Sequence, residues 1–299
     1  MSVAERTVTV TAATPIRLDA FVRAALPALS QRLARAVIAE GAVRVNGRRA
    51  AKGARLREGD RVTLPDIDRL VAEPALAIPV VYEDEMLVAL DKPGGMPAHA
   101  LDPRARGTAA NYLLGRHPEI AGIGTPLAPG LVHRLDTGTS GLLLAARTPA
   151  AYEALRRSFA AHEVEKRYLA LVAGSVPGSG LHVELPLAHD PQDRRRMMPA
   201  RPGRRAWEAE TTVKPIVSGS TCSLVEAAIR TGVTHQVRVH LAHAGHPVLG
   251  DVLYGGPPAA LPDGRHALHA AALAFRHPAD GRAMTLSAPL PEDLQALAP

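Results

Sequence analysis

A single cysteine, Cys222, stands among the 299 residues, so no intrachain disulfide and no Cys-based zinc site can form. Aromatic residues make up only 3% of the chain, which leaves a core built mainly from Ala, Val and Leu. There is no run of about 18 apolar residues, which argues against a membrane-spanning helix. The stretch from Met1 to Ile16 lacks an apolar segment flanked by basic residues, so no secretory leader is expected. Together these absences predict a cytoplasmic, reducing location. Neither Gly-x-Gly-x-x-Gly nor a phosphate-binding Gly-x-x-x-x-Gly-Lys-Ser/Thr loop occurs, and no internal repeat is visible.

What is present is a globular composition, 46% apolar, with a net charge of +6 that is unevenly placed. Residues 1–70 hold 13 Lys plus Arg against 7 Asp plus Glu, whereas residues 71–299 hold 22 of each. A compact basic module beside a neutral larger domain fits capture of a polyanion by one part and chemistry in the other. Composition alone fits a solvated charged surface equally well.

Local patterning divides the chain. Leu18, Phe21, Val22, Ala25 and Leu26 have helical spacing, and Pro27 ends that helix. Ser30 opens a second helix as its N-cap, running to about Glu40 and closed by Gly41. Residues 42–45 read as a strand entering an Asn46-Gly47 turn, and Gly59-Asp60 precedes another over 61–64. The first domain is therefore expected over residues 1–65 as a helix-helix-β module. A proline-bearing linker is expected over 66–79, and a second domain over 80–299. In that second part, strands are predicted at 80–82, 86–90, 168–172 and 223–229. Helices are predicted around Tyr152, Leu155 and Phe159 and over 236–244. Their irregular order favours an α+β fold over a doubly wound parallel sheet. A basic loop runs from Arg194 to Arg205.

The most informative segment is His133-Arg134-Leu135-Asp136-Thr137-Gly138-Thr139-Ser140-Gly141, running into the apolar residues 142–146. A carboxylate beside Arg and His, in a Thr- and Gly-rich turn entering a buried strand, has active-site character. An isolated Arg-x-Asp triplet reads as a turn cap with a surface arginine. This longer string, however, resembles the signature of the RluA-type pseudouridine synthases. Similarity continues at Tyr82-Glu83-Asp84, Lys92-Pro93-Gly94-Gly95, Glu165-Lys166-Arg167-Tyr168 and residues 231–240. It continues again at Gly245-His246-Pro247, Gly250-Asp251, Tyr254-Gly255, Leu268-His269-Ala270 and His277-Pro278. One departure is Val233, which stands where such sequences usually carry Arg. The first module resembles the S-four-type RNA-binding domain, through Arg17-Leu18-Asp19, Ser30-Gln31-Arg32, Glu40-Gly41, Val43 to Gly47 and Gly59-Asp60.

The resemblance implies a mixed, mainly antiparallel catalytic sheet and the isomerisation of uridine to pseudouridine in structured RNA. Large-subunit ribosomal RNA or a pre-ribosomal particle is the expected partner, and the protein is expected to be a monomer. It assigns Asp136 as the catalytic carboxylate, Arg238 as its ion-pair partner, and Tyr168 to stack on the base and assist proton removal from carbon five. Arg134 is expected to brace the stack that the flipped-out uridine leaves. His133, Thr139, His235, Gln236 and Leu268 are expected at the substrate, and Arg32, Arg35, Arg48, Arg49 and Lys52 at RNA phosphates. Attack on the base, attack on the sugar and proton abstraction giving a glycal all remain open. The reaction adds no group and changes no redox state, so no cofactor and no metal is expected. His235, His240, His243 and His246 cluster in sequence, but their spacing is not that of a zinc site. A non-catalytic RNA-binding or ribosome-assembly protein is the alternative, and a glycosidase would need a second carboxylate near Asp136.

Overall fold

Short-range signals shape the N-terminal part of the chain. The computed structural model describes residues 5–13, 15–27, 29–67, 70–203 and 205–299. The first helix, Leu18–Ala25, turns Leu18 and Val22 inward, and the second, Gln31–Ala39, turns Ala34, Val37 and Ile38 inward. The Ser30 hydroxyl accepts the Leu33 N–H at 3.3 Å, filling one of the unpaired donors at that helix start. Asn46 and Gly47 have φ of 50° and 78°, the mirror-image turn that suits a two-residue hairpin, and they join Arg44–Val45 to Arg48–Arg49. The sheet order is Glu5–Thr9, Arg61–Pro65, Arg44–Val45, Arg48–Arg49. The strand Glu5–Thr9 is an addition to the predicted helix-helix-β pattern. It pairs antiparallel along the whole of Arg61–Pro65.

The chain forms two compact units: Met1–Ala75 with His99–Pro129, and Leu76–Ala98 with Gly130–Pro299. This differs from the single cut expected from sequence. Residues 99–129 supply the first unit with the helix Ala109–Arg116 and the hairpin Gly124–Thr125/Ala128–Pro129. A reciprocal cap starts that helix: Thr108 Oγ1 accepts the Asn111 N–H and Asn111 Oδ1 accepts the Thr108 N–H. The predicted linker is divided between the units, and it is packed. Leu70 and Ile78 are buried, the Glu73 carboxylate accepts the Gly107 N–H at 2.7 Å, and Asn111 Nδ2 donates to the Val71 carbonyl at 2.7 Å. Local periodicity carries no signal for such distant pairings.

The second unit holds a nine-stranded sheet. Its order is Leu181–Glu184, Glu210–Ser218, Cys222–Ile229, Glu165–Ala173, Leu268–Arg276, Ser140–Ala146, Leu87–Lys92, Val80–Glu83. Ala283–Ser287 pairs with Leu268–Arg276 outside that path. Among the described residues its pairings are antiparallel except one, between Ser140–Ala146 and Leu268–Arg276. The α+β fold with a mainly antiparallel sheet is thus as expected. The parallel contact is only two residues long, Ser140 opposite His269 and Gly141 opposite Ala270. There Gly141 has φ +108°, and a Cβ on it would lie 2.3 Å from the Ala270 carbonyl oxygen.

Every residue of Ser140–Ala146 is buried, which explains its unbroken apolar run rather than an alternating one. Helix Pro149–Ala160 starts on a Thr148 cap with proline at its first position, and buries Ala151 and Leu155 with Leu142 and Leu144. Helix Gln236–His243 buries Val237 and Leu241 with Ala170, Val225 and Ala227. The expected basic loop is partly ordered: Met197–Pro199 pairs with Leu187–His189 as a hairpin. Arg204 lies outside the described residues. No described helix is long and apolar enough to cross a membrane.

Candidate active site

The segment 133–139 leads into the strand Ser140–Ala146, and buried cations grip its backbone from below. Lys92, fully buried, donates to the carbonyls of Pro93 at 2.9 Å, Met96 at 2.7 Å and Thr137 at 3.4 Å. Arg265 donates to the Gly138 carbonyl at 2.7 Å and to Ser140 Oγ at 2.9 Å. Burial, with the nearby Arg265 charge, pushes the Lys92 ammonium down to about 7. The turn closes on itself where the Thr139 N–H donates to the Asp136 carbonyl at 3.1 Å. Asp136 is therefore carried on a backbone fixed from several sides.

Above that loop lies a cleft of about 620 Å³. Asp136, Tyr168 and Arg238, 102 residues apart at their extremes in sequence, meet in it. Arg238 Nη1 donates to Asp136 Oδ2 at 2.8 Å. The same guanidinium is held on its other edge by Asp251, through Nε to Oδ2 at 2.6 Å and Nη2 to Oδ1 at 2.8 Å. This bidentate clamp fixes the plane of Arg238 and so the place of its third contact. Burial works against the Arg238 charge, but hydrogen bonding and attraction from Asp251 and Asp136 outweigh it and hold the group above its ordinary value. Asp251 and Arg238 are buried, whereas the Asp136 side chain keeps 18% of its surface open to the cleft.

Tyr168 arrives on the strand Glu165–Ala173, whose register with Leu268–Arg276 slips between Arg167 and Tyr168. Such a bulge re-aims a side chain. Burial and the Asp136 charge both push the Tyr168 hydroxyl up, so it stands as a neutral phenol at neutral pH. His235 caps the helix Gln236–His243 in a left-handed conformation, φ 57°. Its Nδ1 shares a hydrogen bond of 2.7 Å with the Tyr254 hydroxyl, which also accepts the Met197 N–H at 2.8 Å. Its Nε2 lies 3.7 Å from Asp136 Oδ2. Burial lowers the His235 imidazole, against the pull of Asp136, and favours the neutral ring.

Other expected site residues meet at the cleft in different ways. Arg134 lines it and is exposed. His133 lines it too, but its Nε2 accepts the Leu144 N–H at 2.9 Å and its ring stacks on Phe159 at 4.8 Å. Burial and the Lys166 charge push it down to about 3, leaving Nδ1–H as its one donor. Leu268 is a buried lining residue. Thr139 is buried with its hydroxyl 2.8 Å from His266 Nε2.

Gln236 departs from expectation. Its side-chain carbonyl accepts from Thr231 Oγ1 and the Val233 N–H, and its amide donates to the Glu210 carbonyl and Thr211 Oγ1. Buried and fully bonded to protein, it has no polar atom to offer RNA, and it shapes the 231–236 turn instead.

The comparisons bear on the whole chain. Residues 86–243 match the family model for RNA pseudouridylate synthase, and residues 16–62 match that of the S4 domain. An uncharacterised RNA pseudouridine synthase of Chloroflexus aurantiacus is 40% identical over 283 residues, 93% of this chain and 88% of the relative. The chain belongs to the RNA pseudouridine synthase family. Ribosomal large subunit pseudouridine synthase D of Zymomonas mobilis is 39% identical over 230 residues, 74% of this chain and 72% of that protein. The solved structure of Human RNA Pseudouridylate Synthase Domain Containing 1 superposes with a TM-score of 0.57 at 26% identity, covering 73% of this chain and 86% of that one.

In this family member, sequence reading missed several cleft-side groups. Asp251 was visible only as part of Gly250-Asp251, 13 residues from the arginine it clamps. Lys166 lines the cleft, donates to the Arg230 carbonyl at 2.7 Å, and is pushed down to about 8 by burial. Trp207 lay in no motif, and Tyr254 was visible only as part of Tyr254-Gly255. The four clustered histidines separate: His240 bonds Thr211 Oγ1 and the Leu185 carbonyl, and His246 bonds the Ala173 carbonyl. Among the described residues no group of three His, Cys, Asp or Glu could hold a metal ion. In the first unit Arg32, Arg35, Arg48, Arg49 and Lys52 are all exposed, and Arg35 also lies 3.6 Å from the Asp19 carboxylate.

Proposed function

We propose that this protein isomerises uridine to pseudouridine in structured RNA, with large-subunit ribosomal RNA as its substrate and Asp136 as the catalytic carboxylate. The observation that carries this reading is the 2.8 Å pair between Arg238 and a partly open Asp136, at the floor of a cleft that Tyr168 also lines. A flipped-out uridine entering that cleft would meet the Asp136 carboxylate at its sugar–base junction. The neutral Tyr168 phenol suits stacking on uracil and hydrogen bonding at it, rather than service as a standing base. Asp251 acts as a positioning residue, since its carboxylate bonds Arg238 and reaches the reaction through it. Arg134, exposed at the cleft, would brace the vacated stack. The S4-type match, with exposed Arg32, Arg48, Arg49 and Lys52, supports capture of RNA phosphates by the first unit. Relatives named for the large ribosomal subunit support the choice of RNA. A single cysteine and an RNA substrate fit a cytoplasmic location.

Mapping pseudouridines in ribosomal RNA from a deletion strain tests the reading. A large-subunit uridine should lose its modification and regain it when the wild-type gene, but not the Asp136→Asn variant, is restored. An unchanged ribosomal RNA map would overturn the choice of substrate.

A further inference from the structure

One wall of the cleft is unlike the charged floor. It is formed by Trp207, His189, Met197 and Val233. Trp207 is the only tryptophan in the chain and remains half-buried. Its backbone is rigidly placed: it exchanges two hydrogen bonds with Leu187, at 2.9 Å and 2.8 Å. The hairpin Leu187–His189/Met197–Pro199 is in turn tied down where the Met197 N–H meets the Tyr254 hydroxyl. The His189 ring meets the indole edge-on, centroids 5.4 Å apart and planes at 88°. The Arg205 guanidinium lies 5.4 Å from the indole centroid. Val233, at the motif position where similar sequences carry arginine, packs with Trp207, Leu187 and Met197 instead.

The charge around this wall is mainly positive, although Glu208, beside Trp207, also lines the cleft. From His189 to Trp207 the sequence has six arginines against two acids, Asp190 and Asp193. Asp193 is already committed to Arg195 at 2.7 Å. Arg196 lies over the Tyr254 ring at 5.7 Å. An indole at the edge of a cleft, on fixed backbone, with one guanidinium over it and further arginines along the same hairpin, has the composition of a base-stacking platform on a phosphate track. A peptide segment would find few hydrogen-bonding groups on this apolar face, and a polyanion matches its rim.

Extruding a uridine also strips its neighbour of a stacking partner. We infer that Trp207 takes up that neighbouring nucleobase, with Arg196 and Arg205 as contacts for the flanking phosphates. The stacking energy given back there offsets part of the cost of extrusion. The inference rests on the isomerisation reading, and it assigns this chain's departure at Val233 a purpose: an apolar wall in place of a cation.

The test uses the full-length protein and deproteinised ribosomal RNA carrying [5-³H]uridine, whose tritium is released as carbon five becomes the glycosidic atom. Trp207→Ala should raise KM for this RNA by roughly five- to a hundredfold, the range of one base–aromatic stack, with a much smaller fall in kcat. Trp207→Phe should restore most of the loss, which a merely disrupted fold would not allow. Because no other tryptophan is present, emission from Trp207 in the wild type should be quenched as the same RNA is titrated in. An unchanged KM in Trp207→Ala, or emission untouched at saturating RNA, overturns the inference. Absence of tritium release by the wild type would instead sink the isomerisation reading, and the emission titration would still report whether RNA reaches the wall.

Discussion

Two sets of arginines, one in each unit of this protein, are used in opposite ways. In the first set, Arg32, Arg48 and Arg49 are exposed, the last two on the short strand after the Asn46-Gly47 turn, with Arg49 reaching back to the Glu40 carbonyl at 3.4 Å. In the second set, Arg238 and Arg265 are buried, and each guanidinium is matched to three or more acceptor atoms. An exposed guanidinium contributes a screened, long-range field and tolerates imprecise placement. A buried one costs several kcal/mol of desolvation and is kept only where its hydrogen bonds are complete, so it fixes geometry. The exposed set is therefore placed to attract, the buried pair to position.

That contrast can be broken at four points, in descending order of effect. Replacing Asp136 by Asn keeps the shape and removes the charge that Arg238 is positioned to meet. Tritium release should fall by roughly 1,000-fold or more, and a variant with activity near wild type would end the role given to this carboxylate. Asp251→Asn leaves Arg238 buried without its clamp. Stability in urea unfolding should drop by about 3–5 kcal/mol, and kcat should fall with it. An unmoved unfolding midpoint would show that the clamp is not what holds Arg238.

Lys92 gives a pH signature. Burial lowers it to about 7, while the unfolded chain keeps its proton up to the ordinary value of 10.5. Between those values the unfolded state binds more protons, so stability should rise with pH from about 7 upward, by up to about 1.4 kcal/mol per pH unit. Lys166, lowered to about 8, adds a second such limb above that pH. Denaturation midpoints at pH 7, 8, 9 and 10 check this, and Lys92→Met should flatten the lower limb. The smallest effect belongs to the exposed cations. Arg48→Ala or Lys52→Ala should weaken RNA binding a few-fold and reduce the salt slope by about one, with stability changed by less than about 0.5 kcal/mol. A large loss of stability in either would place that residue among the structural arginines.

Much of this was legible from the chain alone because it rests on local chemistry. The Ser30 cap, the Asn46-Gly47 turn and the apolar run after Asp136 each announce their structure within a few residues. Asp136, Tyr168 and Arg238 were legible as a set only through ordered motifs, since their meeting depends on three separate elements. The remainder is non-local. The attachment of residues 99–129 to the first unit runs through Glu73–Gly107 and Val71–Asn111, bonds that no periodicity encodes. Gln236 looked like a substrate contact because its motif sits beside the site, yet its four bonds all close onto protein. Asp251 and Lys92 act through burial, and burial becomes visible only when the fold is known.

The two-residue parallel seam at Ser140 and Gly141 has a consequence for how such a protein can change over time. A methyl group at 141 would wedge two strands apart a few residues after Asp136, so the cleft's foundation rests on an atom that is not there. Variation at that point is closed by overlap with a main-chain oxygen, which no compensating side chain can relocate. Change in this part of the molecule is therefore left to the residues around the seam, while the footing beneath stays as it is.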